Sequence, residues 1–188
     1  MKIDLKEKNI SRFRAPITAT TPVATVSLVD VYNEIVGDSL KEITEQHRTI
    51  DNENEARESK KTRFPWITTS GIFTKREDKS IVLHSKIIGM DYDYVKFDLN
   101  VAKQMLINDP IFHTLLLFVS PSGKGLKWFV NIDLEKCDHK TWYTAIANYT
   151  RERYGLEADM GCKALSQACF LCHDPEAYAC SEIMNVIY

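Results

Sequence analysis

Apolar residues recur along this chain in two periods. Leu28, Val31, Tyr32 and Ile35 fall three and four apart, the spacing of one helix face, and Gly37 stops the pattern. Residues 45–63 are almost wholly polar and read as a solvated helix or a flexible loop, ended by Phe64 and Pro65. After Pro65 the period shortens. Residues 66–74 are rich in β-formers and predict a strand with a bend at Gly71; a charged turn over 75–79 leads to a second strand over 81–90. Asp98 is placed to cap a helix with Val101, Ala102, Met105 and Leu106 as its apolar face, ending near Pro110. A buried strand over 114–119, a tight turn over 120–125 and a strand over 126–132 follow. The spacing then predicts a second helix over 138–154, with Trp142, Ile146 and Tyr149 on one face and Gly155 as its stop. Residues 168–172 read as a last strand.

From Trp66 the order is therefore strand, strand, helix, strand, strand, helix, strand. That order predicts an α+β fold, a mainly antiparallel sheet with helices on one face, close to an RNA-recognition-motif core. No internal repeat is visible. Residues 1–25, with Lys2, Lys6, Lys8, Arg12 and Arg14, read as an N-terminal arm, mobile or forming an edge strand; residues 26–188 form the domain proper.

Composition narrows the class. The 188 residues are 44% hydrophobic, enough for a core without disulfides or a structural metal. With 24 basic and 26 acidic residues the formal charge is -2, which argues against non-specific coating of nucleic acid but not against a local basic cleft. The polar start, Met1 to Lys6, shows no secretory leader, and no apolar run approaches the ~20 residues that span a bilayer. Five cysteines, an odd number without framework spacing, read as reduced thiols, so the expected location is cytoplasmic.

Two stretches carry candidate chemistry. Asp91 and Asp93 follow a strand, and side chains two apart in an extended chain project to the same side. Two carboxylates so placed repel unless a cation sits between them, and Mg or Mn, hard ions preferring oxygen, suit that position. Downstream lies Ser120-Pro121-Ser122-Gly123-Lys124-Gly125-Leu126-Lys127. Its two glycines let backbone N–H groups approach an anion, with Lys124 and Lys127 adding charge, although spacing and context are not those of a Walker A loop. Lys127 and Phe129 share one face of the emerging strand, and Trp128 takes the other.

Phe64-Pro65, Ser70-Gly71-Ile72-Phe73, His84-Ser85, Gly89-x-Asp91-x-Asp93, the Ser120 to Lys127 string, and Cys169-Phe170-Leu171-x-His173-Asp174-Pro175-x-x-Tyr178 occur in this order. The set resembles the VirE N-terminal-type domain of the archaeo-eukaryotic primase–polymerase group, met in bacterial mobile elements and often ahead of a helicase or primase-associated domain. The likeness runs from about Val26 to the C-terminus. It implies a primase–polymerase core and metal-dependent nucleotidyl transfer during DNA replication, on nucleotides and single-stranded or primed DNA, with a helicase domain or partner. It places Asp91, Asp93 and Asp159 as catalytic metal ligands, with Asp174 as the rival of Asp159. It places Ser122, Gly123, Lys124, Gly125 and Lys127 at the nucleotide. Lys127 stands where such domains usually carry His, and Ser166-Gln167 where a Ser-Arg pair is frequent. These departures motivate the alternative role, a non-catalytic nucleic-acid or nucleotide-binding module with a degenerate primase-like site.

Zinc is not expected at Cys169 and Cys172, despite Cys162, His173 and Cys180 nearby, because neighbouring side chains in an apolar strand face opposite ways. His84, His113 and His139 are isolated in sequence and read as core or surface residues. Trp66, Phe73 and Trp128 are candidates to stack on bases, with core packing expected for at least two of them.

Overall fold

The computed structural model describes residues 8–187. Their elements begin with β1 (Ile10–Phe13), β2 (Ala24–Val26), α1 (Leu28–Val36), α2 (Lys41–Arg48) and α3 (Glu53–Arg63). Four strands follow, β3 (Trp66–Thr68), β4 (Gly71–Phe73), β5 (Ile81–His84) and β6 (Ile87–Tyr92). The chain continues through α4 (Leu99–Ile107), β7 (Thr114–Val119), β8 (Leu126–Asn131) and α5 (His139–Tyr154). It closes with β9 (Cys169–Phe170), β10 (Tyr178–Ala179) and α6 (Ser181–Ile187).

The fold is α+β with antiparallel sheets. The sheet that matters most has the order β10-β7-β8-β6. Strands β6 and β7 are both antiparallel to β8, so they run the same way with β8 between them and α4 as their connection, a split β–α–β unit. Strands β8 and β10, joined through α5, repeat the arrangement around β7.

Period-two alternation gives this sheet two apolar faces. Ile88, Met90, Tyr92, Leu126, Trp128 and Val130 pack with Leu106 of α4 and Ile146 of α5. Ile87, Leu116, Phe118 and Phe129 pack on the other side, against α1 and a second sheet of order β2-β1-β3-β9. Each such side chain removed from water contributes about 1.5–3 kcal/mol. Helices α4 and α5 thus hold one face as predicted, while the opposite face is covered as well. Asp91 and Lys127 share the parity of Ile87 and Phe129 and therefore lie under that cover.

Several expectations are corrected. The N-terminal arm is no arm over its described part, since β1 lies between β2 and β3 with Ile10 and Phe13 fully buried. Phe13 stacks on Trp66 with centroids 3.8 Å apart. A four-residue strand among basic residues has too few alternations to announce itself; Lys2 and Lys6 lie outside the described residues. The strand read over 81–90 is two strands in different sheets. They are separated where Lys86 takes φ 58 and Ser85 Oγ donates to the Thr69 carbonyl at 2.6 Å.

Helix α4 is rotated from its predicted face. Lys103 is buried, its ammonium donating to the Glu176 carbonyl at 2.8 Å, and this turns Val101 (47% exposed) and Met105 (37%) outward. The buried face of α5 centres on Tyr143, Ile146, Ala147 and Thr150, with Trp142 and Tyr149 at its margin. Trp66, Phe73 and Trp128 are all buried, so none is available to stack on a base. The polar stretch over 45–63 is helical, the end of α2 and then α3, which buries no residue. No helix among the described residues is long and apolar enough to cross a membrane.

Candidate functional site

Asp91 sits one residue before the end of β6, directly across from Lys127 of β8 in the ladder. Cross-strand partners hold their side chains on one face, and here they form an ion pair between Lys127 Nζ and Asp91 Oδ2. Lys127 is 4% exposed. Burial by itself lowers a lysine pKa, yet Asp91 first, then Cys169 and Asp93, raise that of Lys127 above its ordinary value, so the ammonium stays charged. Asp91 Oδ1 is also buried and has no hydrogen-bond partner.

Asp159 comes to the same place. Its backbone N–H donates to the Asp91 carbonyl at 2.8 Å, and Tyr143 Oη donates to the Asp159 carbonyl at 2.8 Å. Its carboxylate, however, is engaged locally. Oδ1 accepts from the Gly161 N–H at 2.8 Å as the cap of the 3-10 turn Met160–Lys163, and Oδ2 accepts from the Cys162 thiol at 3.3 Å. The same sulfur is 3.7 Å from Asp91 Oδ2, so Cys162 stands between the two acids. Both carboxylates and burial, burial most, push the Cys162 thiol pKa up and keep it protonated.

Asp93 goes elsewhere. The strand ends at Tyr92, and Asp93 leaves it for the wall of an open cleft of about 530 Å³. Flanked by cleft walls, its carboxyl is pushed above the usual range by desolvation and then by Asp91, against the pull of Lys127 and Lys60. The two acids sense each other but line different spaces, Asp91 a small cavity and Asp93 the cleft. A divalent ion needs several oxygens around it. Among the described residues, the one group of three or more ligating side chains whose atoms lie within 4.8 Å of one another is elsewhere in the fold. As they stand, Asp91, Asp93 and Asp159 do not form a ready two-metal centre, and the ammonium of Lys127 already supplies the positive charge at Asp91.

The glycine turn faces the cleft. A Cβ on Gly125 would lie 2.0 Å from the Tyr92 carbonyl oxygen and 2.7 Å from that of Asp93, so only glycine lets the hairpin close onto the end of β6. Gly123 has φ +73, the left-handed region that glycine occupies at no steric cost. Two of the turn's amides are already engaged, since Gly123 N–H donates to Ser120 O at 2.9 Å and Lys124 N–H to Ser122 Oγ at 3.3 Å. It also presents two exposed side chains, Ser122 and Lys124. Opposite them, α2 and α3 contribute Arg48, Arg57 and Lys60 to the same cleft. Arg48 also ties the turn to α2, donating to the carbonyls of Pro121 (3.3 Å) and Ser120 (3.4 Å).

Asp174 is elsewhere. Buried, it accepts from the Val119 N–H at 2.7 Å and from the Glu176 N–H at 3.1 Å, with the Lys103 ammonium 3.8 Å away, and so anchors the base of the turn. The cysteine-rich stretch does not assemble either. The Cys172 thiol donates to the Val119 carbonyl, and His173 is committed to Gly37 O and Thr44 Oγ1.

Two features escaped the sequence reading. Arg48, Arg57 and Lys60 sat in a polar run where nothing distinguished a cleft wall from a solvated face. His84 and His139, isolated in sequence, are partners, with Nε2 of His84 3.1 Å from Nδ1 of His139. Lys86 N–H donates to His84 Nδ1 at 2.9 Å, so the neutral His84 carries its proton on Nε2 and donates it to His139. Burial holds both imidazoles at about 4, neutral near pH 7. With Asp91, Lys127 and Cys162, His139 lines a cavity of about 10 Å³, room for one water-sized sphere.

Comparison with curated proteins finds no match, and comparison with solved structures finds none. The family described as BT4734-like, N-terminal domain, matches residues 59–178, well over half of the chain, and the chain belongs to it. The matched stretch contains Lys60, Asp91, Asp93, the glycine turn and Asp159. Arg48 and Arg57 lie before it.

Proposed function

We propose that this member of the BT4734-like N-terminal domain family is a primase–polymerase-like module that binds the phosphates of nucleotides or single-stranded DNA without performing transfer itself. The observation that carries this reading is the cleft lined by Arg48, Arg57, Lys60 and Lys124 beside Ser122, four cations against the three acids Asp51, Glu53 and Asp93. Phosphate affinity comes mainly from such side chains, with a salt dependence that counts the contacts. The Asp91–Lys127 pair supports the non-catalytic form, since a carboxylate neutralised by its own lysine has little attraction left for a divalent ion. Beside a helicase in a mobile-element replication protein, such a module would hold the displaced strand or a nucleotide.

Fluorescence anisotropy with labelled single-stranded DNA, and calorimetry with ATP, test the reading. The expected result is binding that weakens with salt and survives the joint substitution Asp91→Asn and Asp93→Asn. Absence of binding to both ligands at low salt would overturn it.

A second reading, metal-dependent nucleotidyl transfer, is favoured by one atom, the buried and unpartnered Asp91 Oδ1. It requires Lys127 to release Asp91. Extension of a primed template in the presence of Mn, abolished by Asp91→Asn, would establish it in place of the first.

A further inference from the structure

At the end of β7 opposite the glycine turn, three side chains of different donor type meet where β7 begins and α6 begins. His113 lies in the loop before β7, Cys180 follows β10, and Glu182 is in the first turn of α6. One ligand atom from each lies within 4.8 Å of the other two, and His113 Nε2 is 3.5 Å from Glu182 Oε2. We propose that His113, Cys180 and Glu182 bind a transition-metal dication, Zn²⁺ by their chemistry, with the fourth position open to water.

The donor set selects the ion. Imidazole nitrogen, thiolate sulfur and carboxylate oxygen together suit zinc, whereas Mg²⁺ and Ca²⁺ prefer shells of oxygen alone. Tetrahedral bonds of about 2.0–2.3 Å separate ligand atoms by roughly 3.3–3.8 Å. The His113–Glu182 separation already falls in that interval, and the outer limit of the group exceeds it by about 1 Å, within reach of side-chain rotation. Charge closes as well, because one thiolate, one carboxylate and a neutral imidazole balance a dication.

The backbone at the site is fixed before any ion arrives. Cys180 N–H donates to the Leu115 carbonyl of β7 at 2.9 Å, and the Cys180 carbonyl accepts from Ile183 and Met184 N–H at 3.1 Å. His113 is half-exposed, which gives the ion a path from solvent. A free thiol is protonated near neutral pH, so binding breaks the Cys180 S–H bond, forms a metal–sulfur bond and releases the proton to solvent, with no change of oxidation state. The ion would pin α6 to β7, at the opposite end of that strand from the glycine turn.

The test is titration of the chelator-stripped full chain with Co²⁺. One equivalent should bind, giving thiolate-to-cobalt charge-transfer absorption that Zn²⁺ displaces and a large excess of Mg²⁺ does not. Cys180→Ser should remove that absorption while circular dichroism shows the fold intact. His113→Ala and Glu182→Gln should each weaken binding roughly tenfold or more, and they decide the matter if the serine variant does not fold. No charge-transfer band, a band that persists in folded Cys180→Ser, or unchanged affinity in His113→Ala and Glu182→Gln would overturn the proposal. None of these readouts depends on the cleft binding phosphate.

Discussion

Asp91 and Asp93 are two residues apart and inhabit different chemical worlds. Asp91 is inside the strand, under a second sheet, paired with a buried lysine and joined to Asp159 through its backbone. Asp93 is past the strand end, at solvent, on a cleft wall with Ser122, Lys124 and the basic residues of α2 and α3. The first region is closed and electrically satisfied except for one oxygen. The second is open, with more positive than negative side chains along its walls. A motif that looks like one site in sequence is thus divided between a structural core and a binding surface, and the two halves should respond differently to substitution.

The largest effect should come from the closed half. Lys127→Ala leaves the Asp91 charge buried and unpaired, and should cost about 3–5 kcal/mol in urea unfolding. Replacing both partners, Lys127→Met with Asp91→Leu, should cost much less than the sum of the single changes; additive losses would show that the pair does not act as a unit. Next is Gly125→Ala, where the new methyl meets the Tyr92 carbonyl. A loss of about 1–3 kcal/mol is expected, together with weakened cleft binding as the turn lifts from β6.

The open half should show the reverse profile. Arg57→Ala with Lys124→Ala should leave the unfolding midpoint nearly unchanged, yet lower affinity for single-stranded DNA about tenfold, or about 1.4 kcal/mol. The log–log salt slope should fall by about one for each side chain. An unchanged slope would detach the cleft from the proposed function.

The most gradual effect is a pH response from the closed half. His84 and His139 have folded pKa values lowered to about 4, so the unfolded chain binds their protons first as pH falls. Their neutral burial favours the folded state fully above about 6.5, and that contribution is lost as pH drops from there towards 4. Denaturant midpoints measured across that window should decline with acid, and His84→Gln with His139→Gln should flatten the decline.

Much of this was legible in the chain. The apolar repeats located α1, α4 and α5, the Thr114–Val119 and Leu126–Asn131 hairpin, and the α+β class, because local period and capping residues act over one or two turns. Asp98 and Asp138 cap their helices, and Gly155 ends α5 in the left-handed region. Other features depended on partners remote in sequence. The orientation of α4 turns on Lys103 reaching Glu176 and Asp174, and β1 becomes an interior strand only because β3 lies beside it. Asp174 looked like a site residue until its carboxylate proved to be taken by the backbone of Val119.

By itself, the sequence determined α1, α4, α5 and the β7–β8 hairpin, that Lys127 lies on a strand and Asp91 close to a strand's end, and that Gly123 and Gly125 make a tight turn. Each of these follows from steric and hydrogen-bonding rules that act between near neighbours. Only the tertiary structure decided that Lys127 neutralises Asp91, that Asp93 shares a cleft with Arg48, Arg57, Lys60 and Lys124, and that Asp159 caps a turn. Those outcomes rest on electrostatic and packing terms that vary steeply with distance and burial, and distance between remote residues is set by the assembled sheets. The acid pair therefore keeps its place in the sequence reading, but its chemistry was fixed by what the fold brings to each of its two carboxylates.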